Sequence, residues 1–320
     1  MEPPEIAQAV AILRRGGLVA LPTETVYGLG ADAANPDAVR RIFAAKGRPA
    51  DHPVIVHLPE AAALARWADP VPPAAEALAR AFWPGPLTLI VPRAAHVLDL
   101  VTGGQPSVGL RIPDHPVARA LLHAFGGGVA APSANRFGRL SPPRAEHVRA
   151  ELGDAVDLVL EGGASRVGIE STIVDLTGAE PAILRPGAIS ARDLEAVLGA
   201  PVRVVERSET RAPGTLESHY APRTPLRLVE RSELTEVIRT SGSRRLGVLS
   251  RLPAPAYILP DRVRWRQAPA DAAGFAHALY AALRDLDGLG LDEIVVEAPP
   301  MDEAWVPVRD RLRRAAHRET

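Results

Sequence analysis

Apolar and polar positions along this chain switch between helical spacing and short unbroken apolar runs, and the switches mark out its elements. Residues 6–15 carry apolar side chains at helical spacing and stop at Gly16-Gly17. Residues 18–21 form a short apolar run, the mark of a buried strand. Asn35-Pro36-Asp37 reads as a helix start, with Asn as cap and Pro at the first helical position, and that helix runs to about residue 45. The same reading gives strands over 54–58, 87–91, 108–112, 129–131, 158–160, 172–175 and 182–184. It gives helices over 61–67, 74–82, 115–124 and 191–198. Strands and helices interleave, so the expected class is α/β.

Periodicity fades between about residues 207 and 223, where Ser208-Glu209-Thr210-Arg211-Ala212-Pro213-Gly214-Thr215 reads as a linker. Strands over 226–229, 246–249 and 293–296 follow, with helices over 271–286 and 308–316, enough for a small second α/β domain. The expected organisation is a large domain over 1–206, a linker over 207–224 and a small domain over 225–320, with no internal repeat.

Composition narrows the chemistry. The chain has no cysteine, which excludes disulfides, thiolate metal sites and cysteine nucleophiles. Its net charge of −1 gives no global basic field for nucleic acid. No apolar stretch reaches the roughly 20 residues of a membrane span, and the acidic start Met1-Glu2-Pro3-Pro4-Glu5 is no secretory signal. A soluble cytoplasmic protein is expected. Of the 37 Lys and Arg residues, 36 are arginine. The exception, Lys46, lies between a helix end and a strand, in what reads as one loop with Arg48. A compact ammonium and a wide guanidinium fork are not interchangeable, so a site that needs the narrower cation would hold its lysine against this bias.

Gly28-Leu29-Gly30-Ala31-Asp32-Ala33 fits the loose dinucleotide-binding spacing, but its glycines do not lie between a strand and a helix as that site requires. Lys46 is followed by glycine, which excludes a P-loop. No His-Glu-x-x-His pattern exists, so no metal site built from protein side chains alone is indicated. What remains is a set of polar residues beside predicted strand ends: Thr23, Lys46, Arg48, His57, Ser107, Arg111, Ser133, Asn135, Ser141, Ser171 and Arg185. Ligands of open α/β sheets sit at strand ends, and four cations with hydroxyl donors suit a polyphosphate together with a carboxylate.

These residues fall in ordered motifs. They include Leu21-Pro22-Thr23-Glu24-Thr25-Val26-Tyr27-Gly28-Leu29-Gly30, Lys46-Gly47-Arg48-Pro49, Trp83-Pro84-Gly85-Pro86-Leu87-Thr88, Val108-Gly109-Leu110-Arg111-Ile112-Pro113, Ala131-Pro132-Ser133-Ala134-Asn135, Glu170-Ser171-Thr172-Ile173 and Leu184-Arg185-Pro186-Gly187. With Ser218-His219-Tyr220-Ala221-Pro222 beyond the linker, the chain resembles the YrdC-type threonylcarbamoyl-AMP synthases in their longer, two-domain form. The resemblance implies a twisted mixed-sheet YrdC-like domain and a smaller Rossmann-like α/β domain. It implies an ATP-dependent nucleotidyltransferase that joins L-threonine and bicarbonate or CO2 to AMP and releases pyrophosphate, with Mg2+ accompanying ATP. A separate transferase then delivers the group to tRNA, so tRNA is an indirect partner. By the same resemblance Thr23, His57, Arg111 and Ser171 bind threonine, with the Arg111 fork on its carboxylate. Lys46, Arg48, Ser107, Ser133, Asn135, Ser141 and Arg185 surround ATP, Lys46 and Arg48 acting on the phosphates, and the linker over 207–224 serves as an active-site lid whose Tyr220 closes over the pocket. Ala131 stands where some relatives carry threonine. The rival expectation is an RNA-binding module using the same cationic groove.

Overall fold

The structure is a computed structural model that describes residues 4–205, 208–216, 219–255 and 261–317. Its backbone divides into two compact units, one of residues 4–137 and 141–215, the other of residues 138–140 and 216–317.

The first unit is built on a ten-stranded mixed sheet. Its strands are β1 (Val19–Leu21), β2 (Gly28–Asp32), β3 (Ile55–His57), β4 (Leu87–Pro92), β5 (Ser107–Arg111), β6 (Val129–Ala130), β7 (Leu158–Val159), β8 (Thr172–Asp175), β9 (Ala182–Arg185) and β10 (Arg203–Val204). Their spatial order is β10-β9-β8-β4-β5-β3-β6-β2-β1-β7. β3 runs parallel to β5, and β4 antiparallel to β5 and parallel to β8.

Gly28-Leu29-Gly30 is strand, antiparallel to β1, with Val19 opposite Gly30. The second glycine is a packing requirement. A Cβ on Gly30 would stand 2.9 Å from Leu21 Cδ2 and 3.0 Å from Val129 Cγ1. Missing side chains deprive β2 of an apolar run, and that hides it from periodicity.

The helix Pro36–Lys46 ends as its sequence dictates. Asn35 Oδ1 accepts from the N–H groups of Asp37 and Ala38 at 3.0 and 3.2 Å. Gly47 stops the helix in the left-handed conformation (φ 62°). Lys46 is therefore the last helical residue rather than a loop residue, at the end where backbone carbonyls favour a cation.

Strand alternation separates the sheet's two faces. Val56, Leu87, Leu89, Val91, Val108, Leu110 and Val174 enter the main core with Val39, Ile42, Leu78 and Leu194. The intervening residues of the central strands take the other face. There Ile55, Ile90 and Ile173 form a smaller apolar cluster with Leu184 and Ala212. His57, Thr88, Ser107 and Arg111 alternate onto this same face, since Ile55 pairs with Gly109 and His57 with Arg111.

The second unit has a wholly parallel sheet of β11 (Leu226–Val229), β12 (Leu246–Ser250), β13 (Val263–Gln267) and β14 (Glu293–Glu297), ordered β11-β14-β12-β13. Its apolar cluster joins Val229, Leu234, Ile238, Leu246, Val248, Val263 and Val295. Helices Ala272–Asp287 and Val306–Ala316 belong to this unit.

Candidate active site

Lys46 is 2% exposed. Its Nζ donates to the backbone carbonyls of Ser133 and Asn135, each at 2.5 Å. The ammonium thus pins the loop that follows β6, and its third proton has no partner among the described residues. Burial, reinforced by the Arg48 charge, pushes its pKa well below the ordinary lysine value, while Glu151 opposes the shift. Arg48 donates from Nη2 to Pro53 O at 2.7 Å and from Nε to His52 O at 3.5 Å. Its guanidinium lies 5.4 Å from the centroid of the Phe137 ring. Asn135 Nδ2 donates to Arg136 O at 2.8 Å. Ser133 is half-buried and pairs with Gly28 across an antiparallel bridge.

Next comes a buried ion pair. Arg111, the last residue of β5, donates from Nη2 to Glu24 Oε1 at 2.6 Å and from Nε to Gly85 O at 3.3 Å. The two side chains are 5% and 1% exposed. Glu24 Oε2 accepts from the Asp114 N–H at 2.9 Å. Arg111 Nη1 has no hydrogen-bond partner among the described residues. Thr23 closes its own turn: its hydroxyl donates to Val26 O at 2.5 Å and accepts from the Thr25 and Val26 N–H groups, both at 3.2 Å.

His57 ends β3, is 3% exposed, and its Nδ1 is buried without a hydrogen-bond partner among the described residues. Burial first, and the Arg111 charge second, hold its pKa well below the ordinary histidine value. The sign of the linkage follows. The unfolded chain takes up this proton near pH 6.5 while the folded protein resists it. Stability from neutral His57 is therefore complete above about pH 6.5 and drains away as pH falls toward the depressed folded value. His52, also lowered by burial, adds in the same sense. Denaturant midpoints measured from about pH 5 to 7 should fall less steeply with acid in His57→Gln than in the parent. Equal slopes would assign the acid sensitivity to other groups.

A third network lies where β4, β8 and β9 meet. Ser171 Oγ is 2.8 Å from Thr88 Oγ1 and accepts from Arg185 Nη2 at 3.1 Å. Arg185 also donates to Ser171 O from Nε and Nη2, and from Nη1 to Pro213 O at 2.9 Å. Ser107 opens β5 and lines a small cleft, partly open to solvent, together with Thr88, Ile90 and Ile173. Ser141 donates to Glu170 Oε1 at 2.5 Å.

Two family models cover the chain. The Sua5–YciO–YrdC model, described as "Telomere recombination", matches residues 11–187, and the model of the C-terminal domain of threonylcarbamoyl-AMP synthase matches residues 189–317. The chain belongs to the Sua5–YciO–YrdC family. It is similar to the threonylcarbamoyl-AMP synthase of Bacillus subtilis, at 41% identity over 98% of this chain and 93% of that one. It is likewise similar to the threonylcarbamoyl-AMP synthase of Pyrococcus abyssi, at 38% identity over 98% and 94%. Among solved structures it resembles P. abyssi Sua5 complexed with L-threonine, with a TM-score of 0.90, 38% identity and coverage of 98% of this chain and 94% of that chain. The mixed sheet and the smaller parallel sheet agree with the two-domain α/β class expected from the sequence.

Seen as a member of the Sua5–YciO–YrdC family, the first unit carries every expected site residue except Tyr220. Tyr220 belongs to the second unit, with φ at 60°. Its ring centroid is 4.2 Å from that of His219 and 5.9 Å from that of Tyr280, and the Arg311 guanidinium lies 5.2 Å from it. Ser218 of the same motif lies outside the described residues. Sequence reasoning did not select Glu24, Glu170 or Thr88. All three stand inside the family motifs, and the signal was there: an acid flanked by threonines or by Ser-Thr beside a strand is an unusual residue to bury. Ala131 is 5% exposed, and its N–H donates to Ile55 O.

Proposed function

We propose that this chain makes L-threonylcarbamoyl-adenylate from ATP, L-threonine and bicarbonate or CO2, releasing pyrophosphate. The observation that carries this reading is Lys46. It is a buried lysine whose Nζ donates to two backbone carbonyls and has no carboxylate bonded to it among the described residues, on the sheet unit that also holds buried Arg48, Arg111 and Arg185. An anionic ligand would offset the desolvation that disfavours its charged form. The names of the relatives as threonylcarbamoyl-AMP synthases and the threonine in P. abyssi Sua5 support the choice of substrates.

On this reading threonine sits by Thr23, His57, Arg111 and Ser171. Its carboxylate meets Arg111 Nη1, and its hydroxyl meets the unpartnered Nδ1 of neutral His57. ATP lies among Lys46, Arg48, Ser107, Ser133, Asn135, Ser141 and Arg185. A carbamate oxygen of N-carboxythreonine attacks the α-phosphorus, the bond to the bridging oxygen breaks, and pyrophosphate departs with that electron pair. Negative charge grows on the phosphate oxygens, and fixed cations stabilise it without reorganising. The carbamate is already an anion, so no strong base is needed. No group of three or more His, Asp or Glu side chains suited to a metal occurs among the described residues. Mg2+ would accompany ATP and neutralise charge on its phosphates. Tyr220 would act as a lid, and a transferase acting on tRNA would consume the product.

Pyrophosphate release is the test, measured with ATP and bicarbonate, with threonine present or omitted. Release only with threonine, together with a threonylcarbamoyl-AMP mass, is expected. Threonine-independent or absent release, with salt-sensitive tRNA binding, would replace this reading with an RNA-binding one. For location, no described helix is long and apolar enough to cross a membrane, and a cytoplasmic site of action is part of the proposal.

A further inference from the structure

One row of paired residues crosses the middle of the larger sheet. His57 of β3 pairs with Arg111 of β5. Leu89 of β4 pairs with Leu110 of β5 in antiparallel register, which sets Thr88 beside Arg111. Thr88 pairs in turn with Ile173 of β8, and Ile173 with Arg185 of β9. Two residues expected at threonine thus stand at one end of the row and one expected at ATP at the other. Thr88 lies between them and has no part in the reaction as proposed above.

Thr88 and Ser171 are both fully buried, and their hydroxyl oxygens are 2.8 Å apart. Each hydroxyl holds one proton, and their mutual contact uses one of the two. The other neighbour, Arg185 Nη2, donates to Ser171 Oγ at 3.1 Å and accepts nothing. Whichever hydroxyl donates to the other, one proton of the pair has no acceptor among the described residues. A buried donor left unmade is costly, and an oxygen acceptor on a ligand would complete it. The outlet is Ser171. If Thr88 donates to it, Ser171 accepts two bonds, one of them from a cation, and both polarise its own O–H into a stronger donor. The pair therefore meets a ligand with a proton. It suits a carboxylate-type oxygen and opposes an ammonium at the same point.

We propose that Thr88 is a positioning residue for adenylate formation: it donates to Ser171, so that Ser171 donates to a carboxylate-type oxygen of the bound acid. This rests on the function proposed above. That oxygen belongs either to threonine's own carboxylate or to the carbamate built on its nitrogen.

Thr88→Val, Thr88→Ser and Ser171→Ala test this. Valine keeps the branched shape, suits a strand and removes the relayed proton. Threonine-dependent pyrophosphate release should fall roughly tenfold in Thr88→Val, with KM for ATP within about twofold of the parent. Thr88→Ser, which keeps the hydroxyl, should recover release to within about threefold of the parent. Ser171→Ala should lose more, and adding Thr88→Val to it should cost nothing further, because the relay already ends at alanine. Calorimetry separates the two oxygens. Weaker threonine binding by Thr88→Val without bicarbonate assigns the contact to threonine's carboxylate. A loss confined to turnover with bicarbonate assigns it to the carbamate. A serine variant as slow as the valine one, or losses that multiply in the double variant, would overturn the proposal. A parent protein that binds threonine yet releases no pyrophosphate would overturn the function reading instead. The pair would then be judged by threonine affinity with bicarbonate present, where parental affinity in Thr88→Val would overturn it.

Discussion

Lys46→Arg is expected to lower threonine-dependent pyrophosphate release by roughly 100- to 1000-fold while leaving a folded protein. Charge is conserved in this exchange, so the loss is one of shape. Nζ sits between two carbonyl oxygens at 2.5 Å each, in a pocket that leaves the side chain 2% exposed. A guanidinium is planar, wider and longer, and it would have to push the Ser133–Asn135 backbone aside. Overpacking of this kind costs about 1–3 kcal/mol of stability, within reach of a domain this size. It would displace Ser133 and Asn135 together with the amine, and so disturb three of the proposed ATP contacts at once. Initial rates of pyrophosphate release, set beside a thermal melt, separate the two effects. A Lys46→Arg enzyme with parental rates would end the argument that the site needs the narrower cation.

Arg111→Met is expected to be the most destabilising single change at the site, by about 3–5 kcal/mol in urea denaturation, and to abolish threonine binding. The cost comes from what stays behind. Glu24 is 1% exposed, and without Arg111 its carboxylate keeps only the Asp114 N–H as a partner among the described residues. A buried carboxylate stripped of its cation is far less tolerable than the absence of both charges. Glu24→Gln combined with Arg111→Met should therefore recover a large part of the lost stability without recovering threonine binding. If the double variant is no more stable than Arg111→Met, the pair is not what holds this corner of the fold.

Much of this architecture was legible in the chain. Strands 172–175 and 226–229 and the helix over 191–198 stand where apolar runs and capping residues put them. The Asn35 cap did the same for the start of the helix that delivers Lys46, whereas its end lies at Lys46 before Gly47 and not at about residue 45. Three kinds of element escaped. β2 is glycine-rich and carries no apolar stripe. The short helices Ala145–Leu152 and Leu234–Thr240 bury few side chains. β13, Val-Arg-Trp-Arg-Gln, is a half-exposed strand whose alternating arginines mask its period. At the candidate site, the polar motifs supplied the candidate residues, while their partners needed three dimensions. Glu24 meets Arg111 across 87 positions of sequence, and Gln105 meets Arg211 across 106. No local pattern contains such pairings. The segment 208–215 reads as a tether because it lacks periodicity, yet its order comes from side-chain-to-backbone bonds that leave no periodic trace.

Being the sole lysine, Lys46 makes the site spectroscopically unique. Isotope-labelled lysine would place a single ε-ammonium signal in the whole protein, and that signal would come from the side chain that spans Ser133 and Asn135. Its chemical shift against pH would record the protonation of the buried amine directly. Its change on adding ATP would report occupancy of the site without any substitution, reporter group or turnover.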